Sequence, residues 1–230
     1  MVVSSGGAVH KVTEVYTGDI VTALPQSSPE DVARAYDAAR RAQRTWSSWP
    51  LDRRLGVMKK FHSLLLKEYE TVVDLMQVET GKARRMSFEE VCDVAMTTSH
   101  YLKNAKRILT ERTRGGVVPF VSSSTEVRRP KGVVGLISPW NFPFATSLSD
   151  AMPALIAGNG VVLKPDNKST LNVASASTSS TAPGCPAGWC SSSAAGGRTW
   201  GRRSSTAPTS SCSPAPPRPA GSSASAPGGT

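Results

Sequence analysis

Residues 131–170 read KGVVGLISPWNFPFATSLSDAMPALIAGNGVVLKPDNKST, and this stretch decides the fold. Val133-Val134-Gly135-Leu136-Ile137 is a short apolar run of the kind carried by a strand buried on both faces. Ser138-Pro139-Trp140-Asn141-Phe142-Pro143 breaks it with two prolines, which cannot donate to a ladder. A helix across residues 151–157 follows, Gly158-Asn159-Gly160 ends it, and Val161-Val162-Leu163-Lys164 is a second apolar strand. Strand, helix and strand within about 30 residues make a parallel crossover unit. Open parallel sheets bind ligands beyond the carboxyl ends of their strands. Asn141 and Lys164 stand just there.

Upstream the period is helical. Ser28-Pro29-Glu30-Asp31 places a capping hydroxyl, a proline at the first helical position and acids at the positive end of the helix dipole. Val32, Ala35, Tyr36, Ala39, Ala42 and Trp46 then recur at three- and four-residue spacing, so one face is apolar. Pro50 closes that helix. A second starts near Leu51 with Leu55, Met58, Phe61, Leu65 and Tyr69 on one side. A third covers about 69–80 and stops at Gly81, a residue suited to a left-handed cap. A fourth begins near Ser87 and shows Phe88, Val91, Ala95, Thr98, Tyr101 and Ala105 on one face. Residues 117–121 and 125–128 read as two strands around a Ser-rich turn.

The composition of the chain changes after Thr170. Residues 1–170 hold all 17 acidic residues and 23 of the 27 Lys and Arg, whereas residues 171–230 hold four Arg and no other charge. Average usage would put roughly 15 charges into sixty residues. Ser, Ala, Gly and Pro dominate this tail, and Leu171, Val173, Trp189 and Trp200 are its only large apolar side chains apart from cysteine. Such a segment buries too little surface to offset its ordering entropy and is expected to be disordered. The expectation is thus an α/β fold, an incomplete parallel sheet with N-terminal helices over residues 1–170, followed by a disordered low-complexity tail over 171–230.

The net charge of +10 invites a nucleic-acid reading, but Lys and Arg are spread among helical carboxylates without a basic block or interleaved aromatics. No nucleic-acid partner is expected. No stretch approaches the roughly 18 apolar residues of a membrane span, and the start MVVSSGGAVHKV lacks the charge-then-apolar order of a signal peptide. The cytoplasm is the default location. Cys92, Cys185, Cys190 and Cys212 show no paired metal spacing, so no metal is expected. Cys92 reads as a buried or half-buried structural thiol, and Asp150 as a solvated helix acid.

The 131–170 segment resembles the aldehyde dehydrogenase superfamily: the PWNFP turn, the PAL–AGN helix end and the VVLKP strand occur in register. Glu79-Thr80-Gly81-Lys82 matches the family's ETGK stretch, and the similarity runs from about Glu14 to Thr170. Within the superfamily the chain looks most similar to bacterial NADP-dependent succinate-semialdehyde dehydrogenases, on the Tyr16-Thr17-Gly18 start and the Lys164-Pro165-Asp166 variant of the coenzyme motif. The resemblance implies a cysteine thiolate that attacks an aldehyde, an oxyanion that must be stabilised, and hydride transfer to NADP or NAD. It gives the Asn141 amide the role of oxyanion donor; from spacing alone Asn141 reads first as a turn residue after a strand. It places Lys164 on the adenosine ribose and its 2′-phosphate, where spacing alone would allow a solvated lysine. Ile137, Ser138 and Trp140 are implied coenzyme contacts, and Trp140 reads equally as core packing. Many NAD-preferring relatives carry Glu three residues after the Lys. Asn167 stands there instead, removing a carboxylate that would repel a phosphate, although Asp166 is adjacent. His10, His62 and His100 match no family catalytic position. The family also implies a homo-oligomer, with residues 125–129 in the strand pair that mediates it.

A relative should continue with a helix, a GSTxxG-type loop, a catalytic Glu and the nucleophilic Cys. None follows Thr170, and Cys185, Cys190 and Cys212 lie in the low-complexity tail without a base. A shifted reading frame in GC-rich DNA accounts for this. If each true codon is the third base of one present codon plus two bases of the next, Trp189-Cys190 forces valine. Residues 184–193 then permit LPGGLVQLV, and residues 201–221 permit PPIIDSADFILLTGSTPAGR in the same frame, with the missing loop. The shift is placed between Thr170 and Ala176. The expectation is an aldehyde dehydrogenase whose 230-residue, truncated form is inactive. The alternative is a non-catalytic remnant of the fold whose disordered tail binds partners.

Overall fold

The computed structural model describes residues 8–118, 122–179 and 190–192. Helix α1 (Pro29–Ser48) opens on a capping box: Ser28 Oγ accepts from the Asp31 N–H, and the Asp31 carboxylate accepts from the Ser28 N–H at 2.7 Å. Its buried face is Val32, Ala35, Tyr36, Ala39, Ala42 and Trp46, as the spacing predicts. Helix α2 (Leu51–Lys67) buries Met58, Phe61 and Leu65. Helix α3 (Tyr69–Thr80) ends on Gly81 at φ 69°, a left-handed conformation that disfavours a side chain. A Cβ there would also lie 2.8 Å from Val15.

Helix α4 (Arg84–Leu109) starts three residues before the predicted Ser87 and buries Val91, Ala95, Thr98 and Ala105 of the expected face, with Phe88 as the exception. Phe88 is 46% exposed, while Ser87, Glu90, Val91 and Val94 turn inward. Glu90, 2% exposed, lies beside this face and was not among the residues read as buried.

An N-terminal hairpin, β1 (Val9–Thr13) with β2 (Ile20–Pro25), was not among the expected elements. Its signal was present in Thr17-Gly18-Asp19, a turn between two apolar-containing runs, with Gly18 at φ 77°. The second hairpin moves the first predicted strand to Arg112–Gly115 and shifts the second to overlap its expected start. It joins β3 (Arg112–Gly115) to β4 (Ser123–Glu126), and Val117 and Val118 sit in its exposed turn. Gly116 N–H donates to the Ser122 carbonyl, and Ser122 N–H to the Val118 carbonyl, both at 3.1 Å. Charged and small polar residues form this ladder, with Arg114 ion-paired to Glu126 across it, so apolarity pointed to the wrong run. Residues 119–121 lie outside the described residues.

The parallel sheet has the order β5 (Val133–Ile137), β6 (Gly160–Lys164), β7 (Cys190–Ser192). Helix α5 (Pro143–Ile156) makes the crossover, as predicted. Central β6 is buried along its whole length, whereas β5 is only half-buried, contrary to the expectation of burial on both faces. Within the described sheet β5 has one neighbour, and that edge position explains the difference. Val162 packs with Val32, Ala35 and Ala39 of α1 on one face of β6. Val161 and Leu163 face the larger core of Trp46, Met58, Phe61, Met76, Phe144 and Leu155. Gly160 is needed where α1 crosses, because a Cβ there would lie 3.0 Å from the Ala39 carbonyl.

Regular structure does not stop at Thr170. Helix α6 runs Thr170–Ser179, and β7 pairs parallel with β6 from Val161↔Cys190 to Leu163↔Ser192. Two physical reasons override the poor composition. Backbone groups alone make a ladder, and Val173 of α6 is fully buried against the core formed by earlier residues. Residues 180–189 and 193–230, on which the rest of the expected disordered tail falls, lie outside the described residues.

Candidate active site

The register of the sheet brings the two predicted strand tips together. Ile137 pairs with Lys164, and Ser138 N–H donates to the Lys164 carbonyl at 3.1 Å. Lys164 is 7% exposed, and burial pushes its ammonium below the ordinary lysine value while Asp166 partly opposes this. Among the described residues Lys164 has no ion pair within salt-bridge distance. Ser138 is 4% exposed and its Oγ likewise lacks a hydrogen-bond partner among them. A half-desolvated cation and an unsatisfied hydroxyl at adjacent strand ends are costly unless something polar meets them.

The other predicted residues frame this spot. Ile137 and Trp140 are exposed, at 58% and 56%. The Lys168 ammonium sits 5.4 Å from the Trp140 ring centroid, so the core-packing reading of Trp140 does not hold. The Asp166 carboxylate accepts from the Lys168 N–H at 2.9 Å and caps the short 3-10 turn Asn167–Ser169. That bond gives Asp166 a local role in shaping the loop. The Asn167 carbonyl is held by His10 Nε2 at 2.9 Å. His10, Val15, Glu79, Trp140, Asn167 and Lys168 line a cavity of about 370 Å³ beside the loop. Cys92 is half-buried and free, and Asp150 is exposed, in line with the structural roles read for them.

Asn141 is exposed in the turn between β5 and α5. Its carbonyl accepts from Lys82 Nζ at 2.5 Å. Lys82 also pairs with the buried Glu90 and lies 4.5 Å from the Phe142 ring centroid. The other Glu90 oxygen accepts from the N–H groups of Phe144 and Ala145, both at 3.0 Å. These are first-turn donors of α5 that its own Phe142 N-cap leaves unsatisfied. Glu79 does the same for α6, accepting from Leu171 N–H at 2.7 Å and Asn172 N–H at 2.9 Å. Burial pushes its carboxyl up, against the lowering effect of these donors. Sequence reasoning missed Glu90 and Glu79 as site supports. Their signal was a carboxylate spaced with apolar residues on an inward helix face.

Asn159, in the AGN helix end, ties the unit together. Its Oδ1 accepts from the N–H groups of Lys131 and Gly132 before β5, and its Nδ2 donates to the Ala154 carbonyl in α5.

Fold and geometry together define an α/β protein whose parallel strands bring buried polar groups together at their carboxyl ends. The chain belongs to the aldehyde dehydrogenase family, whose sequence profile matches residues 2–211. It is 43% identical over 157 residues to a Mycolicibacterium smegmatis protein named "Putative succinate-semialdehyde dehydrogenase (NADP+)", covering 68% of this chain and 30% of that one. Malonate-semialdehyde dehydrogenase 1 of Geobacillus kaustophilus is 31% identical over 170 residues, covering 74% and 34%. Among solved structures, an aldehyde dehydrogenase from Brucella melitensis biovar abortus 2308 superposes with a TM-score of 0.83 at 26% identity, covering 89% of this chain and 42% of that one. The NADP-dependent glyceraldehyde-3-phosphate dehydrogenase of Bacillus halodurans, complexed with NADP, gives 0.78 at 27% identity, covering 85% and 42%. The chain spans about a third of the length of the curated relatives it matches.

Proposed function

We propose that these residues form the opening part of a cytoplasmic NAD(P)-dependent aldehyde dehydrogenase that oxidises succinate semialdehyde to its acid. The observation that carries this is the pair of uncompensated polar groups, Lys164 and Ser138, at adjoining strand tips beside the Asn141 turn. Ribose hydroxyls or a 2′-phosphate would satisfy both, so the residues present fit the coenzyme. Bound there, NADP or NAD would supply the hydride acceptor. Lys164 neutralises phosphate charge or donates to the ribose; Ser138 hydrogen-bonds the same region; Ile137 and Trp140 offer exposed apolar surface to it. The Asn141 side-chain amide donates to the oxyanion formed at the aldehyde carbon. Asn167 adds no charge that would exclude a 2′-phosphate, which favours NADP. The name of the mycolicibacterial relative supports the semialdehyde as substrate. The β3–β4 hairpin is exposed and is assigned to homo-oligomer contacts.

The nucleophilic Cys and the base Glu come, on this reading, from an in-frame continuation, and the 230-residue chain by itself is inactive. Strand β7 supports the shifted frame: Cys190–Ser192 falls where the alternative reading runs Leu-Val-Gln-Leu-Val, a sequence with strand propensity. A comparison of the two chains tests this. With NADP and succinate semialdehyde, the chain restored to frame between Thr170 and Ala176 should form NADPH, and the 230-residue chain should form none. Turnover by the short chain would refute its assigned inactivity, and an inactive restored chain would refute the activity itself.

A further inference from the structure

The ETGK stretch was matched as a family signature, but its chemistry is not used by the proposed reaction. Its two charged ends reach two different parts of the site. At one end Glu79, 4% exposed, takes the first amides of α6, the helix that leaves the Lys164–Asn167 loop. The Asn172 side-chain amide donates to it as well, at 2.8 Å. At the other end Lys82 binds the Asn141 carbonyl and, through Glu90, the first amides of α5, the helix that leaves the Asn141 turn. Between them Gly81 turns the chain, and its carbonyl accepts from the Tyr16 hydroxyl at 2.6 Å. The segment is therefore tied at both ends and in the middle.

We infer that Glu79–Lys82 is a positioning bracket that holds the Asn141 turn and the Lys164 loop in fixed relation, each through its own carboxylate-capped helix. Neither residue needs to touch a ligand. The two arms are chemically independent, so each should fail alone. Removing the Lys82 ammonium leaves Glu90 buried without its cation, which weakens its hold on Phe144 and Ala145. Removing the Glu79 charge halves the acceptor capacity offered to α6. The bracket is a matter of geometry; its consequence for coenzyme binding rests on the proposed activity, and two readouts separate them.

Hydrogen exchange on the 230-residue chain, resolved by amide, needs no coenzyme. Lys82→Met should speed exchange at Phe144 and Ala145 about tenfold or more, with Leu171 and Asn172 unchanged. Glu79→Gln should give the reverse pattern, and Lys82→Arg should restore most of the protection at Phe144 and Ala145. Unchanged exchange, or a uniform rise that includes α2, would overturn the bracket; so would a Lys82→Arg chain that behaves like Lys82→Met. Titration of the frame-restored chain and its variants with NADP is the second readout. Glu79→Gln should weaken binding severalfold, while Lys82→Met changes it less than twofold. If the unsubstituted frame-restored chain binds no NADP, the coenzyme reading fails, and the exchange pattern alone still decides the bracket.

Discussion

Lys164 is the residue at which burial and chemistry conflict most openly. Its ammonium is desolvated, and its pKa is held below the ordinary value near 10.4. Between the folded and unfolded values the unfolded chain binds more protons, so stability rises with pH through that window. Below it the cost of burying the charge is fully present. Lys164→Met should therefore melt at or above the temperature of the unsubstituted chain at neutral pH, and lose the alkaline gain in stability. The same substitution should weaken NADP binding by about 10- to 100-fold, the usual worth of a charge-assisted contact. Thermal melts and coenzyme titration check both. A variant that is less stable yet binds NADP normally would make Lys164 a structural residue.

At the scale of elements, the strands and helices bearing the site were legible because their residues are locally redundant. Ser28 and Asp31 cap α1, Gly81 ends α3, and prolines and glycines bracket α5 and β6, so several signals agree on each boundary. The β3 strand was misplaced because its ladder is built from Arg and Thr, and α6 was missed because its stability comes from Glu79, 91 residues before Thr170. Long-range capping leaves no trace in local periodicity. The positions of Asn141 and Lys164 at the strand ends were legible from the strand–helix–strand pattern, whereas Lys82, Glu79 and Glu90 needed the fold to show what they touch. Glu79 carries a test of its own. Its raised carboxyl pKa means the folded state binds the proton more tightly. Its contribution is full below the unfolded value, about 4.3, and falls as pH rises through the folded value. Glu79→Gln should flatten that decline in urea midpoints as pH rises above about 4.3; an unchanged slope would assign the titration elsewhere. In the core, Leu155 is fully buried and its carbonyl accepts from the Trp46 indole at 2.7 Å. Leu155→Ala should cost about 2–5 kcal/mol in denaturant unfolding, as large-to-small core changes do.

For the molecule as a whole, the described sheet is three strands with β6 at its centre, and the chain covers about a third of its curated relatives. No helix among the described residues is long and apolar enough to cross a membrane. Helix α1 covers β6, α2 and α4 cover α5, and α3 packs on α4 and α6, so the two loop tips are held side by side. What those tips do together is measured most directly by NADPH formation from succinate semialdehyde by the frame-restored enzyme and its Asn141→Ala variant. In the variant kcat should fall about a hundredfold to a thousandfold, the usual effect of removing one oxyanion donor. The KM for NADP should stay within about twofold, as for an interaction made only in the transition state. Full turnover in the variant would contradict a donor role for Asn141.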